Sequence, residues 1–139
     1  MKRVQLMIAC GLLLSLPLLL WAQPENKAQL PDTPVGKRIA GYLAAFNSGQ
    51  ARQVVEFMKQ HDGRKDAEPI PLDKLAFIQK DLGKLSFLRT VSAEPEHTLL
   101  VVLKSERGRY ISLHCTVVPE APHKITFFRF ELTDPLNQQ

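Results

Sequence analysis

Histidine is the side chain in this sequence best suited to acid–base or metal chemistry, and the chain has four: His61, His97, His114 and His123. Zinc sites require His, Cys or carboxylate ligands at short, characteristic spacings. None of these histidines has such a partner. His61 precedes Asp62 at a predicted helix end, where its cationic form would interact favourably with the helix dipole. His97 and His123 fall in predicted turns, in solvent. The spacing therefore predicts no metal site.

His114 stands apart because it lies in the middle of a predicted strand, on the polar side of an alternating pattern. A ligand pocket combines apolar walls with a few well-placed polar groups. If the polar side of this strand lined a cavity, several residues could supply hydrogen bonds to a small ligand. These candidate pocket or partner-face residues are Tyr42, Tyr110, His114 and Arg129. The alternative is an exposed, polar sheet face.

Catalytic signatures are missing from the sequence. It contains no Ser-x-x-Lys box, no Gly-x-Ser-x-Gly elbow, no glycine-rich phosphate loop and no His-Glu-x-x-His zinc motif. Each of these motifs holds a nucleophile, a phosphate or a metal at a required spacing. We therefore expect a protein that is not an enzyme, with no catalytic residues and no cofactor.

The N-terminus has the order of a secretory signal peptide: a basic start, an apolar run over Leu6–Trp21, the small residue Ala22 and then a polar stretch. The apolar run of 16 residues is shorter than the roughly 20 residues that span a membrane as a helix. An uncleaved anchor is the alternative. Cleavage after Ala22 would leave 117 residues, and we expect the product to be secreted or periplasmic.

The domain organisation follows from this start. The length suits a single domain, and the apolar fraction of 45% suits a packed core. The predicted divisions are a signal peptide over 1–22, a polar leader over 23–32, an α+β domain over 33–135 and a tail over 136–139.

Cys10 and Cys115 are the two cysteines, and Cys10 lies within the predicted signal peptide. The residues around Cys10 loosely resemble a lipid-attachment box, but the apolar run before it is too short for one. Cys115 is then alone in the mature chain and can form no intrachain disulfide. It falls on the apolar side of its predicted strand, where a thiol packs as a small hydrophobe. We expect Cys115 to be buried and unreactive.

The formal net charge is +4, partly because of Lys2 and Arg3. Removal of residues 1–22 leaves 16 basic against 14 acidic side chains, a net charge of +2. Nucleic-acid binding depends on a concentrated basic surface that neutralises phosphates. Without a basic stripe, we expect no nucleic-acid partner.

Three helices are predicted before any strand. Thr33 is suited to cap a helix whose first residue is Pro34. Glycines at 49 and 83 provide stop signals after the first and third helices. Apolar residues recur at helical spacing in the stretches 34–47, 50–61 and 72–82.

Four β-rich runs follow, joined by short breaks that favour an antiparallel meander. They cover Leu85–Ser92, Thr98–Lys104, Tyr110–Val118 and Lys124–Thr133. Helices first and strands later indicate an α+β fold rather than a parallel α/β sheet.

The strands alternate in a way that predicts apolar residues on both sides of the sheet. The third strand has one clean apolar side: Ile111, Leu113, Cys115 and Val117. The second strand has Leu100 and Val102 opposite Leu99, Val101 and Leu103. The fourth has Ile125 and Phe127 opposite Phe128, Phe130 and Leu132. Two apolar sides predict a partner, a dimer mate or a ligand pocket; the alternative is a curved sheet that wraps its own helices or is covered by loops.

The order of elements and the stretch YLAAFNSGQARQVVEFM (residues 42–58) resemble nuclear transport factor-like domains, which have the cystatin-like α+β roll. The Asn-x-Gly break between the first two helices is shared, although Gln50 stands where such domains usually carry an acidic residue. The resemblance implies two to three N-terminal helices packed on a curved four-stranded antiparallel sheet.

Two further stretches, TPVGKRIAGYLAAFNSG from Thr33 and PEAPHKITFFRFEL from Pro119, resemble an N-terminal accessory domain of secreted bacterial serine hydrolases of the beta-lactamase class. Some C-terminal-processing-type peptidases carry a similar domain. The resemblance covers Thr33 to about Pro135. It implies a fold and export, and no position here matches a catalytic residue of those enzymes.

We therefore expect a secreted, non-catalytic accessory or binding domain. Its partner would be a hydrolase-like protein, a second copy of the chain or a small apolar ligand. The alternative is an isomerase- or dehydratase-like enzyme, because steroid-isomerase-like enzymes have the same roll and place a tyrosine where Tyr42 lies. Their acidic residues have poor counterparts: Asp66 and Glu68 lie in a loop, and His114 occupies the strand position.

Overall fold

The computed structural model of the protein describes residues 28–94 and 96–134. The predicted signal peptide, the first half of the predicted leader (23–27) and the predicted tail over 136–139 lie outside the described residues. The helices are α1 (Pro34–Asn47), α2 (Ala51–His61) and α3 (Leu72–Leu82). The strands are β1 (Leu85–Glu94), β2 (Thr98–Ser105), β3 (Tyr110–Val117) and β4 (Ile125–Thr133).

The helices begin and end at the residues that their local sequence predicts. Thr33 is extended, and its hydroxyl accepts a hydrogen bond of 3.2 Å from the Gly36 amide. This contact satisfies one of the amides that a helix N-terminus leaves free. Gly49 and Gly83, which follow α1 and α3, have φ angles of 72° and 70°. Only glycine adopts such angles without a steric cost.

The segment before α1 lies against the domain. Leu30 packs against the hydrophobic core. The carbonyl oxygen of Pro31 approaches Gly36 so closely that a Cβ at position 36 would lie 2.0 Å from it. Position 36 therefore accommodates no side chain, and the end of the predicted leader contributes to packing.

The strands form one open antiparallel sheet in the order β1-β2-β3-β4. The predicted meander is confirmed, because each strand pairs with the next in sequence. Together with the three helices this makes the protein α+β, as predicted. Among the described helices, none is both long and apolar enough to cross a membrane.

Three β-bulges change which residues share a face. The inserted residues are Leu88 and Val91 in β1 and Thr126 in β4. A bulge places two residues opposite one, which shifts the alternation of side chains beyond it. The predicted pairing of Ile125 and Phe127 on one side of β4 is therefore wrong. Ile125 is fully buried beneath the helices, whereas Phe127 is exposed on the opposite side.

The core lies between the helices and one face of the sheet, which we call the inner face. Helix α1 runs against β1, β2 and β3. The sheet contributes Leu85, Leu99, Val101, Leu103, Ile111, Leu113, Cys115, Val117 and Ile125 to this core. The helices contribute Val35, Ile39, Tyr42, Leu43, Ala45, Phe46, Val54, Leu75 and Leu82. We call the other side of the sheet the outer face.

Candidate functional site

Three of the four candidate residues lie on the outer face, and the fourth does not. Tyr110 and His114 alternate with the core residues of β3, and Arg129 of β4 lies directly opposite His114. Tyr42 belongs to α1 and is 5% exposed within the core. The sheet therefore separates Tyr42 from His114, and the two side chains do not meet in one cavity.

Tyr42 is enclosed by aromatic rings. Its ring centroid lies 4.7 Å from that of Phe128 and 6.1–6.2 Å from those of Phe46, Phe57 and Phe130. Tilted and edge-on arrangements at such distances are the favourable ones for aromatic pairs. Burial also raises the pKa of the Tyr42 phenol well above its usual range. The tyrosine thus serves packing between α1, α2 and β4.

The outer face carries a polar group of side chains on β3 and β4. The His114 ring lies edge-on to Phe127 at 4.7 Å between centroids. Arg129 forms an ion pair of 2.7 Å with Glu131, two residues further along the same face. Both charged side chains are about half exposed or more, so this ion pair adds little stability. These groups could instead provide polar contacts to a partner.

The same face carries a cluster of apolar side chains that the sequence showed only in part. The two bulges of β1 insert Leu88 before Arg89, the partner of Val102, and Val91 before Ser92, the partner of Leu100. Leu88 and Val91 are 39% and 37% exposed. We call the outer-face patch the set Leu88, Val91, Leu100, Val102 and Phe127. None of these five side chains belongs to the hydrophobic core or packs against it.

Val102 is the centre of the outer-face patch. It is 2% exposed although it does not belong to the core, and its cross-strand neighbours are Arg89 and Ser112. The described helices pack on the inner face, so they are not what buries Val102. The sequence predicted part of this patch, because β2 has apolar residues on both faces. It did not predict the contribution of β1, because a bulge cannot be recognised from an alternation pattern.

A second polar cluster joins the β3–β4 loop to the helices. Arg38 donates hydrogen bonds to the carbonyl oxygens of His123, at 3.2 Å, and Pro122. Lys124 donates to the carbonyl oxygen of Gln60. These cations bind backbone oxygens between chain segments and so act as structural ties.

His61 lies beside this cluster, at the last position of α2, as predicted. Its ring lies 4.6 Å from that of Phe57. Burial, followed by the positive charges of Arg38 and Lys124, lowers the pKa of His61. These neighbours favour the neutral ring over the cationic form on which the predicted interaction with the helix dipole depends.

The remaining histidines do not form a metal site. His97 and His123 lie outside the strands, as predicted, but both are half-buried rather than fully solvated. Their ring centroids are 6.5 Å apart, and Nδ1 of His123 contacts the Val118 carbonyl oxygen at 3.0 Å. Across residues 28–94 and 96–134, no three His, Cys, Asp or Glu side chains are grouped to hold a metal ion.

Cys115 is buried, as predicted, and forms no disulfide. It lies on the inner face of β3, opposite Leu99 and Phe128. Burial raises the pKa of its thiol to about 12. Because the thiolate is the reactive form of cysteine, this side chain is held in its unreactive state.

An open depression of about 430 Å³ lies where β3 begins and β4 ends, and Tyr110 is among its lining residues. The others are Gly108, Arg109, Leu132, Thr133 and Asp134. This depression does not include His114 or Arg129, so the predicted site residues are not gathered into one pocket there.

Comparison with known proteins returned no match among family models, curated proteins or solved structures. The resemblance to nuclear transport factor-like domains and to hydrolase accessory domains accordingly remains a prediction from the quoted motifs.

Proposed function

We propose that this protein is an exported, non-catalytic binding or accessory module, and that the outer-face patch is its binding surface. The observation that carries the proposal is the second apolar cluster, on a sheet face that none of the described helices covers. Apolar patches surrounded by polar residues are typical of protein interaction sites. Here Lys104, Arg129 and Glu131 lie beside the patch on the same face, and Arg89 pairs with Val102.

The composition of the face suits a protein partner. Phe127 and His114 offer aromatic surface, and Arg129 offers donors for hydrogen bonds. Aromatic side chains and arginine are enriched at the centres of protein interfaces. The predicted resemblance to hydrolase accessory domains points to a hydrolase-like protein as the partner. Export and the cystatin-like roll belong to the same proposal and are supported by the N-terminal sequence and the element order.

No observation favours the enzymatic alternative. An isomerase- or dehydratase-like mechanism would need Tyr42 and an acid or His114 around one ligand. Tyr42 packs among phenylalanines on the inner face, and His114 faces outward. We therefore retain the binding module alone.

Site-specific photo-crosslinking in the producing cells tests the proposal. A photoreactive phenylalanine analogue is placed at Leu100, within the outer-face patch. The matched control places it at Phe77 in α3, which is 70% exposed and apolar but lies on the helical layer. We expect one discrete protein adduct from position 100 and none of the same mass from position 77.

A second substitution shows whether the patch itself binds the partner. Phe127→Lys should abolish the adduct formed from position 100, because a lysine ammonium loses hydration when it enters an apolar interface. Circular dichroism and thermal unfolding would verify that this variant is folded. No adduct at position 100, or the same adduct from both positions, would refute the proposed binding surface.

A further inference from the structure

The two edges of the sheet differ in how they are protected. Edge strands expose unpaired backbone groups, and proteins commonly block them with bulges. β1 carries two bulges, at Leu88 and Val91. β4 carries one, at Thr126, and pairs regularly with β3 from Phe127 to Thr133. The β4 edge is thus long and regular, and it is rich in aromatic residues.

The beginning of the β4 edge is already covered. Asp62 forms an isolated parallel bridge with Ile125, and the Gly63 amide donates to the Ile125 carbonyl oxygen at 2.8 Å. Beyond this point no strand in the described part of the chain pairs with the outer edge of β4. The stretch of this edge between Phe127 and Leu132 is available for pairing.

The backbone groups at this edge can be assigned from the pairing pattern. The Val117 amide donates to the His97 carbonyl oxygen, on the β2 side of β3, at 2.8 Å. Antiparallel ladders alternate, so His114 and Ser112 direct their backbone groups toward β4. Their partners in β4 are Arg129 and Glu131, whose backbone groups are therefore used within the sheet.

It follows that Phe128, Phe130 and Leu132 direct their N–H and C=O groups to the open edge. Their side chains lie on the inner face, because they oppose Cys115, Leu113 and Ile111. The side chains of Arg129 and Glu131 lie on the outer face, one residue to either side of Phe130. This pattern of opposite charges around a central residue is self-complementary.

We propose that the β4 edges of two copies of this chain pair antiparallel about a two-fold axis at Phe130. This pairing joins the two sheets into a single eight-stranded sheet. Phe130 then faces Phe130 of the second copy, and Phe128 faces Leu132. All three residues on each strand exchange backbone hydrogen bonds in this register. The partner at this edge is a second copy of the chain because the charges match: Arg129 of each strand directly faces Glu131 of the other.

The register also places these charges where they interact best. Residues beside a hydrogen-bonded pair form non-hydrogen-bonded pairs, in which facing side chains come closest. Leu132, 55% exposed in the single chain, would gain apolar contact with Phe128 of the second copy. The outer faces of the two copies would continue into each other, but this dimer does not depend on the proposed function of the outer-face patch.

The test uses Arg129→Glu and Glu131→Arg. Each variant is expressed from the full sequence and purified in the form that the cell produces, after any processing. Analytical ultracentrifugation over a range of concentrations measures dimerisation of the wild type, of each variant and of their equimolar mixture. Lys104→Glu, an equal charge reversal on the exposed part of β2, is the matched control.

We expect the wild type to form a dimer. For each single variant the dimer dissociation constant should rise about tenfold or more, because two attractive charge pairs become repulsive. The mixture should form a heterodimer, since an all-acidic edge then faces an all-basic one. The ion pair within each chain is broken in both variants, so only contact across the interface can restore association. Lys104→Glu should dimerise like the wild type.

Three outcomes would overturn the proposal. The wild type could remain monomeric at every concentration, or the single variants could dimerise as well as the wild type. The mixture could also fail to associate while the wild type dimerises, which would exclude this register. A dimer lost in a Leu100→Lys variant and unaffected by both charge variants would place self-association on the outer-face patch.

Discussion

The side-chain amide of Asn47 forms two hydrogen bonds with the backbone of Leu85, one in each direction and both 2.7 Å long. Asn47 is the last residue of α1, and Leu85 is the first residue of β1. The pair therefore fixes the end of the helical layer on the edge of the sheet. It uses a side-chain amide as a substitute for a neighbouring strand, because Asn supplies both a donor and an acceptor.

Replacement of this side chain should lower stability. Asn47→Ala leaves the Leu85 amide and carbonyl without these partners, and we expect a loss of about 1–3 kcal/mol in the free energy of unfolding. Asn47→Asp keeps the acceptor but places a carboxylate oxygen against the Leu85 carbonyl oxygen at the C-terminus of α1, so it should not restore the lost stability. Urea unfolding measures both, with the exposed Gln53→Ala as control. Equal stability of Asn47→Ala and the control would contradict the role of the pair.

Gly36→Ala should destabilise the protein, although alanine is the better helix former. Alanine in place of glycine inside a helix ordinarily stabilises by roughly 1 kcal/mol. At position 36 the added Cβ would lie 2.0 Å from the Pro31 carbonyl oxygen, and overpacking of this kind costs about 1–3 kcal/mol. Thermal unfolding measures the change.

A shorter chain that begins at Thr33 provides the control for the Gly36 prediction. In that shorter chain the Pro31 carbonyl is gone, so Gly36→Ala should be neutral or stabilising. Destabilisation of the same size in both backgrounds would show that the close approach to Pro31 is not the cause.

The titration of His61 should make stability depend on pH in a defined direction. Its pKa in the folded protein is lowered from 6.5, so the unfolded chain binds the proton more readily. The stabilising contribution is therefore complete above about pH 6.5 and is lost as the pH falls from there through the lowered pKa. His61→Gln should remove this part of the pH dependence in unfolding experiments.

NMR titration of the His61 ring tests the physical cause directly. Lys124→Met removes one of the two cations that lower its pKa, so the pKa should rise toward its ordinary value in this variant. A His61 pKa that does not change in Lys124→Met would assign the whole effect to burial and Arg38.

Cys115 should resist alkylation until the domain unfolds. Its thiol is buried, and its pKa of about 12 leaves almost no thiolate at neutral or mildly alkaline pH. Mass spectrometry of the peptide that contains residue 115 measures modification by iodoacetamide with and without urea. A cysteine placed at the exposed position 48 is the control. Rapid modification of Cys115 in the native protein, at the rate of the control, would disprove its burial.

Much of the fold could be predicted because its signals are local. Thr33 caps α1 with its own hydroxyl, and the glycines after α1 and α3 have the positive φ angles that stop a helix. The alternation of β3 is confirmed residue by residue, since this central strand contains no bulge. These features depend on a few neighbouring residues.

The candidate site was predicted less well for a physical reason. Tyr42 and His114 were placed together because each can donate a hydrogen bond, but their positions depend on which side of the sheet the helices cover. The outer-face location of Tyr110, His114 and Arg129 follows from strand alternation. The burial of Tyr42 among Phe57, Phe128 and Phe130 required the packing of elements far apart in sequence.

The sequence by itself determined the helices, the strands, their order and the α+β class, because capping, helical periodicity and strand alternation act over a few residues. Only the tertiary structure decided the bulges at Leu88, Val91 and Thr126, and with them the faces of β1 and β4. A bulge arises from pairing with the neighbouring strand, so one inserted residue moves later side chains to the other face without any change in the local pattern. That is why Ile125 joined the core and Phe127 joined the outer-face patch.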